Sequence, residues 1–181
     1  MRALRIYASF EWLDTFEVRL CLPCNHFARF RPVGVYFKVI GRLGDGVVWY
    51  AMLAALPLVY GKPAILPTLH MAMTALLGVI IYVLLKALLV RERPFASHAG
   101  VMAFAQPLNR YSFPSGHTLQ AILFLVMLAH YFPDIALIML PFCISVAASR
   151  VILGLHYPSD VLVGAFIGWL LARSSLSVIV L

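Results

Sequence analysis

The chain has 181 residues, 63% of them hydrophobic and only 12% charged. Soluble domains carry about 25% charged residues, so the composition excludes an ordinary soluble domain, and the length allows one compact unit rather than two. The net charge of +7 makes no case for a nucleic-acid partner, because attraction to anionic membrane lipid accounts for it more simply.

At the N-terminus no uninterrupted apolar stretch precedes a small-residue cleavage site. No cleavable signal is therefore expected, and targeting falls to the first span. Ala3, Tyr7, Phe10, Leu13, Phe16 and Leu20 recur at helical spacing, with Arg5, Glu11, Thr15 and Arg19 largely elsewhere around the helix. That pattern predicts an amphipathic helix lying in the membrane interface. Crossing the bilayer would bury Glu11, Asp14, Glu17 and Arg19, at roughly 2.5–3.5 kcal/mol each for central positions. Residues 1–45 are thus predicted to form an interfacial arm. Within it Pro32 starts a second short amphipathic piece, and Gly44-Asp45-Gly46 breaks the chain before the first span. The glycines between Gly41 and Gly46 do not make a phosphate loop, since no strand precedes them and the spacing is wrong.

A spanning helix needs about 20 mostly apolar residues. Val47–Tyr60 is short for one. Ala64–Val90, His117–Phe132, Ile135–Leu155 and Pro158–Val180 follow, separated by turns at Gly61-Lys62-Pro63 and Tyr131-Phe132-Pro133-Asp134 and by a longer polar connection from Arg91 to Pro114. The prediction is one all-α domain, residues 1–181, with a helical membrane bundle over residues 46–181. Counting spans puts the Lys86 end of the second, the His117 start of the third and the His156–Asp160 junction on one membrane face.

Those three places carry the chemistry. Lys86 is followed by six residues and then Arg93-Pro94; next comes Pro114-Ser115-Gly116-His117; last come Ser149-Arg150, His156 and Asp160. A neutral imidazole can attack phosphorus. His156 is the candidate nucleophile, and Asp160, just beyond Pro158 in the first turn of the fifth span, is placed to reach back and fix its tautomer. Lys86, Arg93 and Arg150 are candidate ligands for phosphoryl oxygens. Arg150 is read as lying about one and a half turns inside an apolar run, where a charge points to function by default. Ser115 and Gly116 start a helix whose free N–H groups favour an anion, and Gly116 lets the backbone approach it closely. Ser115 also suits plain N-capping.

In all three blocks, in order, the chain resembles the type 2 phosphatidic acid phosphatase (PAP2) superfamily. The motifs cover residues 86–160, and the hydrophobic pattern extends the likeness to about residue 46. The composition argues against the superfamily's soluble haloperoxidase branch. The resemblance implies a membrane lipid phosphatase of the bacterial inner membrane that works through a phosphohistidine. His117 would be the general acid, a role that suits a histidine's ordinary pKa. It implies a phosphorylated lipid as partner, such as undecaprenyl pyrophosphate, phosphatidate, phosphatidylglycerol phosphate or lipid A, and no metal or other cofactor. A lipid phosphotransferase and a non-enzymatic lipid-binding relative are the alternatives. The family's usual six spans exceed the five legible here, so the predicted bundle has five to six.

Sidedness is drawn two ways. The resemblance implies a site on the periplasmic or external face. With residues 1–45 on the catalytic face, only Lys62 and Arg173 of the 14 Lys and Arg lie opposite, and the positive-inside rule then favours the cytoplasm. Arg91, Glu92, His98 and Arg110 are equally well read as head-group contacts or as a solvated loop. His70 and Thr74, four apart, read as helix-packing hydrogen bonds, and Gly164 with Gly168 as a close-packing pair. Cys21 and Cys24 have redox-motif spacing without the βαβ context or a second pair for zinc. Cys143 reads as a small hydrophobe.

Overall fold

The computed structural model describes residues 11–178. Ala3, Arg5, Tyr7, Phe10 and Val180, named above, therefore lie outside the described residues. The helices are α1 (Glu11–Phe27), α2 (Arg31–Leu43), α3 (Val47–Tyr60), α4 (Ile65–Leu88), α5 (Pro94–Ser97), α6 (Gly116–Tyr131), α7 (Pro133–Ile152) and α8 (Pro158–Val178). Prolines open α5, α7 and α8, at positions where a helix has no use for a backbone donor. Gly61, with φ of 73°, ends α3, and a single 3₁₀ turn over Lys62–Ala64 leads into α4.

Three helices are each long and apolar enough to cross a membrane: Lys62–Leu88, Pro133–Ile152 and Pro158–Val178. Helices α2 and α3 meet that test only as a pair, bent by 54° at their break, and α6 is apolar but shorter. This is an integral membrane helical protein. At 1.5 Å per residue, α3 and α6 reach about 21 and 24 Å.

Helix α6 is the axis of the bundle. Its Leu119, Ala121, Leu123, Phe124, Met127 and Leu128 are buried among α4, α7 and α8. Two glycines of α8 let that helix sit directly on the α6 backbone. A Cβ on Gly164 would meet Ser115 O, and one on Gly168 would meet Leu119 O, so the small-residue pair packs as the sequence suggests. His70 bonds Tyr131 Oη (2.7 Å) and Ser175 Oγ (2.5 Å), and Thr74 bonds the same serine. The His70/Thr74 pair thus ties α4, α6 and α8 together, as packing hydrogen bonds. Leu137, Ile138, Leu162, Phe166 and Trp169 face outward, where a bilayer would solvate them.

The arm does not simply float. Glu17, Cys21, Asn25 and Ala28 of the α1 region form a buried stripe, while Phe16, Leu20 and Phe27 are exposed. Asn25 donates to Met102 O and Ile152 O and accepts from Met102 N. Helix α1 is therefore docked by its polar stripe on the end of the bundle where α7 gives way to α8, with its apolar stripe turned outward. Helix α3 is fastened by Trp49, which stacks on Phe124 at 4.9 Å and donates from Nε1 to Gly44 O.

Candidate active site

The ends of α4, α6, α7 and α8 converge with the 89–115 connection. They enclose a cavity of about 490 Å³ lined at its head by Lys86, Arg93, Gly116, His117, Arg150 and His156. The three sequence blocks thus meet in one place.

His156 sits in the turn between α7 and α8. Helix α7 ends at Ile152, earlier than the predicted Leu155, because the chain curls there. Gly154 adopts φ of 75°, and Leu155 N and His156 N both donate to Arg150 O. A Cβ at Gly154 would also strike Met102 O, so this turn needs glycine. The early end puts Arg150 in the last turn of α7 and not one and a half turns inside it.

The tautomer of His156 follows from its neighbours. Arg93 Nη1 lies 3.3 Å from His156 Nε2, and a guanidinium can only donate. Nε2 is therefore the acceptor nitrogen, and the ring proton sits on Nδ1. Nδ1 faces Asp160 Oδ2 at 3.5 Å, too long for a hydrogen bond, and it has no other partner among the described residues. Asp160 thus faces His156 as expected, but its hydrogen bonds go elsewhere. Asp160 Oδ1 accepts from Arg91 Nη1 (2.6 Å), and Oδ2 accepts from Tyr157 N (2.9 Å). The carboxylate is a neighbour of the histidine fixed in place by Arg91 and the Tyr157 N–H. Burial first, then Arg93, Lys86 and Arg150, hold His156 well below the usual histidine pKa. The ring stays neutral.

Arg91 is the residue that spacing missed. It is 2% exposed, which rules out the solvated-loop reading. Besides Asp160 and Ser159, it donates to Asp14 Oδ1 and to Glu17 Oε2, each at 2.6 Å from Nη2. Glu17 in turn accepts from Ser159 N and Oγ. Glu92, His98 and Arg110 do not line the cavity.

Asn109 was also missed. Its side-chain oxygen accepts from both Lys86 Nζ (3.1 Å) and Arg93 Nη2 (3.0 Å), and its backbone oxygen accepts from Arg93 Nε. It holds the two cations side by side. Burial lowers the Arg93 pKa to about 10, so the group remains charged near neutrality. Arg150 Nε donates to Ser149 Oγ at 2.9 Å, and its Nη2 occupies the space where a Cβ on Gly41 would lie. Gly41→Ala should therefore push the guanidinium aside while leaving α2 helical. The expected result is a loss of kcat/KM of about tenfold or more, on the scale of one charge-assisted hydrogen bond, at nearly unchanged Tm. Equal activity would show that Arg150 tolerates displacement.

Ser115 and Gly116, both expected to bind phosphate, take different places. Ser115 is fully buried and does not line the cavity. Its N–H donates to Asp160 O, and its hydroxyl caps α6 and meets Thr118 Oγ1. Gly116 does line the cavity, but a Cβ there would crowd the Tyr82 ring, so its small size serves packing. His117 Nε2 lies 2.5 Å from Asp45 Oδ1, a carboxylate the sequence reading treated only as part of a chain break.

Beyond its head the cavity turns apolar. It runs along α4 past Tyr82, Val79 and Leu76 to Ala72, with Trp49, Tyr50 and Leu53 of α3 opposite. Ala72 and Lys86 are 14 residues apart on one helix, about 21 Å. As for the cysteines, the three thiols are free, and burial pushes Cys21 up to about 12, which leaves it inert.

Fold and site together define an all-helical membrane protein with two histidines and three cations around one pocket. The model of the PAP2 superfamily matches residues 67–180, and the chain belongs to that superfamily. Among similar proteins is a lipid A 1-phosphatase from Rhizobium etli, 37% identical over 91 residues that make up 48% of this chain and 39% of that one. Another is a decaprenylphosphoryl-5-phosphoribose phosphatase from Mycolicibacterium smegmatis, 38% identical over 45% of this chain and 43% of that one. The chain matches about two fifths of the length of these curated relatives. The crystal structure of Aquifex aeolicus LpxE superposes with a TM-score of 0.76 at 26% identity, covering 97% of this chain and 99% of that one. The first transmembrane PAP2 type phosphatidylglycerolphosphate phosphatase from Bacillus subtilis shares the fold, with a TM-score of 0.70 at 21% identity over 93% and 86% of the two chains.

Proposed function

We propose that the protein removes phosphate from a phosphorylated lipid through a phosphohistidine on His156. The observation that carries this reading is the shape of the cavity, a cationic head holding both histidines and an apolar furrow that fits an acyl or prenyl tail. The relatives described above, phosphatases of lipid A and of decaprenylphosphoryl-5-phosphoribose, support a lipid phosphomonoester as substrate.

In this mechanism Lys86, Arg93 and Arg150 hold the phosphoryl oxygens. Their charge matters most where negative charge shifts in the transition state. The phosphate draws Arg93 away from His156, and Nε2 attacks phosphorus. The N–P bond forms as the P–O bond to the lipid breaks, and the electron pair leaves on the lipid oxygen, which takes a proton from His117. Asp160 balances the positive charge on the His156 ring. Water then attacks the phosphohistidine, giving its proton to His117 and releasing phosphate. Purified protein should release phosphate from vesicles doped with such a lipid. Delivery of the label to an added acceptor lipid instead of water would make it a transferase. Absence of both would reject catalysis.

The neutral state of His156 gives a direct check. An ordinary histidine takes up a proton near pH 6.5. Burial and the neighbouring cations disfavour that proton here, so the depressed pKa keeps the ring neutral as pH falls through 6.5. Its ring resonance, assigned by its loss in His156→Ala, should still hold the neutral-form shift as pH falls through 6.5. A midpoint near 6.5 would contradict the model of a desolvated nucleophile.

The proposed setting is a bacterial inner membrane, with five to six spans and the site on the external face. The basic side chains Arg19, Arg29, Arg31 and Lys38 of the arm are exposed, where anionic lipid would attract them. Cys24 is the reporter for sidedness, because Cys21 is buried and Cys24 is partly exposed. A membrane-impermeant thiol reagent should label Cys24 in intact cells. Labelling only after permeabilisation would place the site inside.

A further inference from the structure

The superfamily match begins at residue 67, and both candidate histidines fall within it. Asp45 does not. It lines the cavity beside His117, supplied by the segment that the sequence reading assigned to an arm and a break. We infer that Asp45 is the positioning residue for His117, a second carboxylate–histidine pair that readies this ring to protonate the leaving oxygen. The inference rests on the phosphatase reading above.

The break that carries Asp45 is a built turn. Gly44 N donates to Ile40 O, Asp45 N to Arg42 O, and Tyr50 N to Gly46 O, while Trp49 Nε1 closes on Gly44 O. Gly46 has φ of 149°, a conformation that favours glycine. A Cβ on Gly44 would crowd Val146 of α7. The turn thus aims one carboxylate at the mouth of the cavity. Asp45 Oδ1 lies 2.5 Å from His117 Nε2, and the two side chains are 27% and 14% exposed.

A carboxylate only accepts, so Nε2 donates to it. That bond engages one ring nitrogen and leaves the other for the leaving oxygen. An acid must be doubly protonated before it acts, and an adjacent carboxylate stabilises that form. The contrast with the first pair is informative. Asp160 is 3.5 Å from His156 and gives its shorter contacts to Arg91 and Tyr157 N. Among the described residues, Asp45 has no ion-pair partner within 4.0 Å other than His117. One carboxylate is offset and leaves its histidine neutral; the other is spent on its histidine. Two like side chains are thereby set for opposite roles, which is how environment divides acid from nucleophile.

The test uses the full chain in detergent and two substrates, a phosphorylated lipid with an alkyl leaving group and an aryl phosphate whose leaving group needs no acid. Asp45→Asn should lower kcat on the lipid about tenfold or more, a part of the roughly 10²–10⁴-fold that general acid catalysis supplies. On the aryl substrate it should change kcat little. In a His117→Ala background it should cost nothing further. Equal losses on both substrates, or a further loss without His117, would overturn the inference. If the wild-type protein splits neither substrate, the phosphatase reading itself fails. The pairing is then decided by the ¹⁵N shifts of the His117 ring: a change in Asp45→Asn supports it, and identical shifts overturn it.

Discussion

His156→Ala should abolish turnover and the acid-labile phosphoenzyme together, while His117→Ala should slow the reaction only as far as the leaving group needs help. In the proposed mechanism the first side chain makes the bond to phosphorus, so without it nothing remains to carry the phosphoryl group. Its Nε2 faces the cations, and the ring proton points the other way, toward Asp160. The second side chain moves a proton, and loss of a general acid typically costs about 10²–10⁴-fold. An aryl phosphate should escape much of that cost. Rapid-quench labelling with radioactive substrate reads the phosphoenzyme, and steady-state rates on alkyl and aryl phosphates read the acid. In His117→Ala the phosphoenzyme should still form from the aryl substrate. If both variants lose both substrates equally, the division of roles is wrong.

The three motif blocks were legible because they set charge inside an apolar sequence, and such charge has few uses besides function. Helix positions were legible for the same reason, as apolar runs bounded by Pro and Gly. What was not legible takes its meaning from tertiary partners. Arg91 belongs to no spacing rule, and only the fold brings Asp14, Glu17 and Asp160 around it. Asn109 is an ordinary loop residue until Lys86 and Arg93 both reach it. Asp45 read as a turn residue because its partner is 72 positions away. Helix α1 makes a related point about direction. Periodicity found its apolar stripe, but in a membrane that stripe can face lipid while the polar one faces protein. The stripe of Glu17, Cys21 and Asn25, each four residues from the next, was present in the sequence, and its burial shows which side is the interior.

The ion cluster at Arg91 should be the most sensitive point in the fold. The guanidinium meets three carboxylates and also stacks over the Tyr157 ring, 4.0 Å from its centroid. Burial works against its charge, yet Asp160, Glu17 and Asp14 outweigh burial and raise its pKa above the ordinary arginine value. Removing one partner from a buried charge network strands the others and typically costs about 3–5 kcal/mol. Arg91→Leu should therefore lower Tm in detergent by several degrees or unfold the protein. Short of unfolding, it should free α1 from the bundle and let it unwind, so that trypsin cuts after Arg19 and Arg29, whose side chains are already exposed. Activity should fall as well, because Asp160 loses the partner that holds it beside His156. Adding Glu17→Gln to Arg91→Leu separates charge from packing. If stranded carboxylates are the cause, the double variant should regain part of the lost Tm, because one buried charge is gone. If lost packing is the cause, the second substitution should lower Tm further, since Glu17 also binds Ser159. A wild-type Tm in Arg91→Leu would show that the arm is held by Asn25 and its backbone partners alone.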